Sequence, residues 1–215
     1  MNKMNRKKKL LIEIFLIAVF FLFFVIFFQL QSFVVVILLV ASSIISLRFK
    51  SEIKKNIFTK KTKSFLPFIF FDIFFVVLTI ITFGDNFFLN ELNLKNYYLI
   101  SNLLLFYLFF SVLPQEIIFR FLFFYRYRDY FNKFEFILLN SFIFSFCHLI
   151  YFDLHILLFS FFGNLLFTFN YMKNKSLLLV IIEHFLLGQT LIILGFFDNF
   201  NFSLIKKLYN LLVIN

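Results

Sequence analysis

The chain has 215 residues, 62% of them hydrophobic, 24% aromatic and only 15% charged, with a formal net charge of +10 and a mean hydropathy of +0.96. A soluble domain is roughly 45–50% apolar and about 25% charged, and a chain of this length cannot hide the extra apolar surface in one water-facing core. A soluble enzyme, a disordered tail and a disulfide scaffold are excluded, the last also because Cys147 is the single cysteine, and a polytopic membrane protein remains.

The N-terminus carries Lys3, Arg6, Lys7, Lys8 and Lys9 ahead of the first apolar run. That run is too long for a signal-peptide core, and no small-residue cleavage site closes it, so it predicts an uncleaved first span. Seven runs approach the about 20 apolar residues that a bilayer core requires: 10–29, 32–47, 65–84, 98–125, 136–152, 154–172 and 176–197. The second is short enough to be tilted or re-entrant, and the fourth is long enough to project beyond the core. None shows the strict alternation of barrel strands. The expected fold is all-α, a polytopic transmembrane bundle of about seven spans. Residues 1–97 form its N-terminal helices and a basic loop, 98–197 its core, and 198–215 an interfacial amphipathic tail.

Lys and Arg collect in 1–9, 48–64, 126–135 and at Lys173 and Lys175, while the opposite loops hold only Lys95. With seven spans these basic segments fall on one side, which predicts a cytoplasmic N-terminus in the bacterial cytoplasmic membrane. The positive charge is therefore a topology signal and an attraction to lipid headgroups, with no nucleic-acid partner expected. Oligomeric state is not readable.

Ionisable groups in hydrocarbon cost about 2.5–3.5 kcal/mol on insertion scales and usually face a partner or a cavity. Glu13, beside the basic N-terminus, reads as a paired carboxylate, and Asp72 as a pairing or cavity-lining one. Glu116 and Arg120, four apart after Pro114, share a helix face and can pair. Asn140, Ser141, Ser145 and His148 make a polar stripe at helical spacing. Glu183 and His184 are adjacent ionisable residues in mid-span. At about 1.5 Å of rise per residue, Glu116, His148 and His184 lie roughly 12–18 Å deep on three helices. One carboxylate and two imidazoles at one level suit a hydrolytic site, and equally a proton relay or a metal site. Cys147 reads as packing.

The order Pro114-Gln115-Glu116-Ile117-Ile118-Phe119-Arg120, then Phe144-x-x-x-His148, then Gly163, then Ile181-Ile182-x-His184 resembles the CPBP family, the CAAX proteases and bacteriocin-processing enzymes also called Abi. Its motifs are EExxxR, FxxxH and HxxxN on successive membrane helices, and the resemblance spans about residues 100–195. It implies intramembrane endopeptidase chemistry on a peptide or membrane-protein substrate, with no cofactor required. In the family's scheme the first Glu and the FxxxH histidine activate a water, the second Glu pairs with the Arg, and the third motif's His and Asn stabilise the oxyanion. The matching residues here are Glu116, Arg120, Phe144, His148 and His184.

Two positions depart. Gln115 stands where the first Glu is expected, and an amide can orient a water but cannot take its proton as a carboxylate does. Gly188 stands where the Asn is expected and has no side chain to donate. Three outcomes follow from these departures: Glu116 is the base, Glu183 or Asp72 substitutes, or proteolysis is lost and the fold serves as a membrane binding scaffold. A transporter component using the same polar cluster, and a metal held by His148, His184 and Glu116, are left open by the residues.

Overall fold

In hydrocarbon every backbone N–H and C=O must be satisfied within the protein, so long apolar runs fold as helices. A computed structural model describes residues 3–28, 31–57, 104–151 and 153–193, with a few helical positions between 70 and 81. The described elements are α1 (Lys3–Phe28), α2 (Gln31–Arg48), α3 (Lys50–Ile57), α4 (Leu104–Tyr130), α5 (Lys133–Cys147), α6 (Leu154–Asn174) and α7 (Leu177–Ile193). Among the described residues, three helical stretches are long and apolar enough to cross a membrane: Leu104–Tyr130, Lys133–Tyr151 and Leu154–Asn174. Shorter apolar helices run over Val36–Arg48 and Leu177–Ile192. The all-helical membrane bundle expected from composition is what forms. The run 65–84 as a span, Asp72 within it and the tail 198–215 lie outside the described residues.

The helices overrun the apolar runs where charged residues find partners. α1 reaches back to Lys3 and α4 forward to Tyr130. Glu13 accepts hydrogen bonds from Arg126 Nε at 2.7 Å and from the Tyr127 hydroxyl at 2.8 Å. Lys7 donates to Glu135 at 2.7 Å. These contacts fasten the basic end of α1 to α4 and α5. The basic segment 48–64, expected as a loop, contains the short helix α3, which buries Ile53.

Short connections make α4 to α7 successive neighbours. Asn132 opens α5 with a capping box: its side chain accepts from Glu135 N at 2.8 Å and Glu135 Oε2 accepts from Asn132 N at 3.0 Å, satisfying two donors that the helix itself cannot. Asp153 caps α6 by accepting from the amides of His155 and Ile156. Lys175 closes α6 in the left-handed region at φ 53°, where glycine is the usual choice. Replacing Asn132 with alanine is expected to lower stability by about 1 kcal/mol, and with glycine by only a few tenths, read as the thermal unfolding midpoint in detergent.

α4 departs from regular winding. Leu108–Val112 and Ile117–Leu122 are wide π-helical turns, and the α-helical turn Leu113–Glu116 lies between them. Pro114 has no N–H, and its ring crowds the carbonyl one turn back. A wide turn just ahead opens the helix at that point. Such turns are frequent at functional sites, and here they bracket Gln115 and Glu116.

Candidate active site

Glu116 and Arg120 are both fully buried. Arg120 Nε lies 3.0 Å from Glu116 Oε2, within ion-pair range but off the line of a hydrogen bond. The rest of the guanidinium reaches across the bundle, donating to Asn140 Oδ1 on α5 at 2.9 Å and to Asn164 Oδ1 on α6. Asn140 donates in turn to the Phe119 carbonyl at 3.1 Å. Asn164 donates to Asn140 and Thr168 donates to Asn140. The Phe144 and Phe167 rings lie 5.9 and 5.8 Å from the guanidinium carbon. One buried cation thus ties three helices together, paired with Glu116 by charge and with two asparagine oxygens by hydrogen bonds, as a charge in low dielectric requires.

The other oxygen of Glu116 meets α7. His184 Nδ1 lies 2.8 Å from Glu116 Oε1. A carboxylate only accepts, so Nδ1 carries the proton, and in the neutral ring Nε2 is left as an acceptor. Glu116 is therefore engaged on both oxygens, by Arg120 and by His184, and neither opens onto a cleft.

His148 is held differently. α5 ends at Cys147 and tightens into a 3₁₀ turn over His148–Tyr151, so the His148 amide bonds to Ser145 O and Phe146 O. The Phe144 carbonyl, one of the orphan acceptors of a helix end, receives the imidazole instead: His148 Nδ1 lies 2.8 Å from Phe144 O. A carbonyl also only accepts, so Nδ1 is the protonated nitrogen and Nε2 is the free base. The Phe144 ring stands between the two histidines, with centroids 4.7 Å from His148 and 5.7 Å from His184. The Phe-x-x-x-His spacing thus fixes the histidine through both the backbone and the ring of its aromatic partner.

His148 lines two clefts. One is walled by Tyr107, His148, His184, Gly163 and Gly188. The other opens among α1, α2, α4 and α5, is mostly apolar, and carries Gln115 and Ser111 beside His148. Gln115 Nε2 donates to Ser111 Oγ at 3.0 Å, while its buried Oε1 has no partner among the described residues. Both glycines allow close approaches. A Cβ at Gly163 would come 3.2 Å from Leu187 Cδ2, and one at Gly188 would lie 2.6 Å from Tyr107 Cζ and overlap the hydroxyl outright.

The structure brings Glu116, Arg120, Phe144, His148 and His184 together, with Gln115 facing His148 across the second cleft. It does not bring Glu183 there. Neighbouring residues on a helix point about 100° apart, so with His184 turned to the cleft Glu183 turns to the α6 seam, where Asn170 donates to it at 2.6 Å. Glu183 thus lies buried in the seam between α6 and α7. Among the described residues no group of three His, Cys, Asp or Glu side chains is placed to hold a metal ion.

Four polar residues of α6 and one tyrosine escaped the sequence reading. Asn164 and Thr168, and Asn170 and Asn174, are spaced four apart, and all are buried. Two such pairs inside an apolar run were a visible sign of polar contacts to neighbouring helices. Tyr107 left no sign amid so many aromatics.

Residues 98–188 match the family model described as Type II CAAX prenyl endopeptidase Rce1-like. The match covers less than half the chain and runs from just before α4 to Gly188, so it takes in all three motif segments. No curated protein and no solved structure matches the chain. The glutamate–arginine pair, the carbonyl-held histidine and the matched segment point the same way: residues 98–188 are similar to the Rce1-like CAAX prenyl endopeptidases, within an integral membrane protein.

Proposed function

We propose that this protein is a peptidase of the bacterial cytoplasmic membrane, hydrolysing a peptide bond in a peptide or membrane-protein substrate with His148 as the general base. The observation that carries this reading is the contact of His148 Nδ1 with the Phe144 carbonyl, which makes Nε2 the unprotonated nitrogen of the neutral ring, on a residue that lines two clefts. A water at Gln115 Oε1 donates one hydrogen to that amide and the other to the imidazole. As the water oxygen attacks the scissile carbonyl carbon, its proton passes to His148 Nε2. The carbonyl oxygen becomes the oxyanion beside His184. Collapse breaks the C–N bond, and His148 returns the proton to the leaving amine. A positioned general base contributes typically 10²–10⁴-fold. An imidazole serves without a carboxylate partner, more weakly than with one.

The second reading is a membrane binding scaffold without proteolysis. It is favoured by the amide at Gln115 and by the full engagement of Glu116. One experiment separates the two. Purified wild type and His148→Ala in detergent are given an internally quenched farnesylated CaaX peptide, and membranes of cells expressing each are surveyed by mass spectrometry for new protein N-termini. The expected result is at least one product that wild type makes and His148→Ala does not. Identical products from the two proteins overturn the peptidase and leave the scaffold.

A further inference from the structure

The reaction proposed above needs donors where negative charge develops on the carbonyl oxygen, and the first cleft offers few. His184 gives its Nδ1 proton to Glu116, so it donates from Nε2 only as a doubly protonated ring. Gly188, one turn along the same face of α7, has no side chain. Two hydroxyls remain among the lining residues: Ser160, whose Oγ already donates to the Leu157 carbonyl at 2.9 Å, and the phenol of Tyr107. Tyr107 of α4 lines the cleft with His184 and Gly188. Its ring meets the His184 ring edge-on at 6.3 Å and stacks on Phe185 at 6.2 Å. Its hydroxyl occupies the volume that a side chain at position 188 would fill.

We infer that Tyr107 is a catalytic residue, an oxyanion donor whose hydroxyl takes the place of a side-chain donor at position 188. This rests on the peptidase reading. A phenol donates while remaining neutral, and tyrosine hydroxyls are among the groups that stabilise oxyanions. The glycine and the tyrosine are one feature: Gly188 is what lets the hydroxyl come this close. Tyr107 in this position and a residue with a Cβ at 188 exclude each other, because the hydroxyl lies where that Cβ would stand.

The test compares wild type, His148→Ala, Tyr107→Phe, Tyr107→Ala and Tyr107→Ala/Gly188→Asn on the His148-dependent product. Tyr107→Phe keeps the ring and removes only the donor. It should lower kcat by about 10²–10³, the typical loss for one oxyanion-hole donor, with little change in KM or unfolding temperature. Tyr107→Ala/Gly188→Asn should regain part of the activity that Tyr107→Ala loses, because the asparagine amide enters the vacated volume. If His148→Ala abolishes the product while Tyr107→Phe keeps the wild-type kcat, the inference is overturned and the peptidase stands. If Tyr107→Phe is slow but also unfolds early, the paired variant decides: recovery supports the donor role, and no recovery overturns it. If no product depends on His148, the peptidase reading itself falls and takes the donor role with it.

Discussion

Replacing Arg120 with alanine is expected to destabilise the bundle by about 3–5 kcal/mol, the range for breaking a buried ion pair by removing one partner. The loss has three parts. Glu116 is left in a fully buried site with only His184 beside it. Asn140 and Asn164 each lose the cation that their oxygens accept from. A cavity the size of a guanidinium opens between Phe144 and Phe167. Arg120→Lys should fall in between, because an ammonium is a point charge and cannot span the fork to α5 and α6. Glu116→Gln/Arg120→Met should recover much of the loss, since a neutral pair leaves no buried charge uncompensated. The check is the thermal unfolding midpoint of the four proteins in one detergent. Arg120→Ala unfolding with wild type would mean that the pair is a bystander and that packing alone holds α4, α5 and α6.

Changing Gln115 to glutamate is expected to raise the rate of the His148-dependent cleavage by about 10²–10⁴-fold, the contribution of a positioned general base. The side chain already faces the cleft that His148 lines. Ser111 would reverse its role, donating to the new carboxylate where it now accepts from the Gln115 amide. The change is isosteric, so stability should move little apart from the cost of a charge beside apolar walls. The measurement is kcat for the same quenched peptide across pH. Glutamate at 115 should add an acid limb to the profile, because it works only when ionised. A flat response in kcat and profile would show that position 115 does not address the attacking water.

Much of this arrangement was legible in the residues. The Glu116–Arg120 pair followed from spacing alone, since side chains four apart on a helix meet. The meeting of Glu116 with His184 followed from counting depth along two spans. Glu183 was not legible, because two adjacent ionisable residues in one run give no indication of which faces the cleft. That depends on the rotation of α7, which its neighbours set. The wide turns of α4 were hidden for a related reason. In a stretch as uniformly apolar as Leu104–Val112 there is no polar face whose period could slip. Tyr107 was lost in the same stretch, as one ring among many.

The first of those wide turns has a geometric consequence for the cleft. Nine residues separate Tyr107 from Glu116, about two and a half turns of a regular helix at about 3.6 residues per turn, which would set them on opposite sides of α4. The wide turn at Leu108–Val112 takes up about one residue, and the remaining eight make about two and a quarter turns. The phenol and the carboxylate come to within about a quarter-turn of each other, and His184 meets both. The winding of α4 is thus a dial. Winding Leu108–Val112 as regular α-helix would leave composition, hydropathy and every named side chain intact, yet swing Tyr107 by about 100° around the axis. To the cleft that rewinding is equivalent to deleting the hydroxyl.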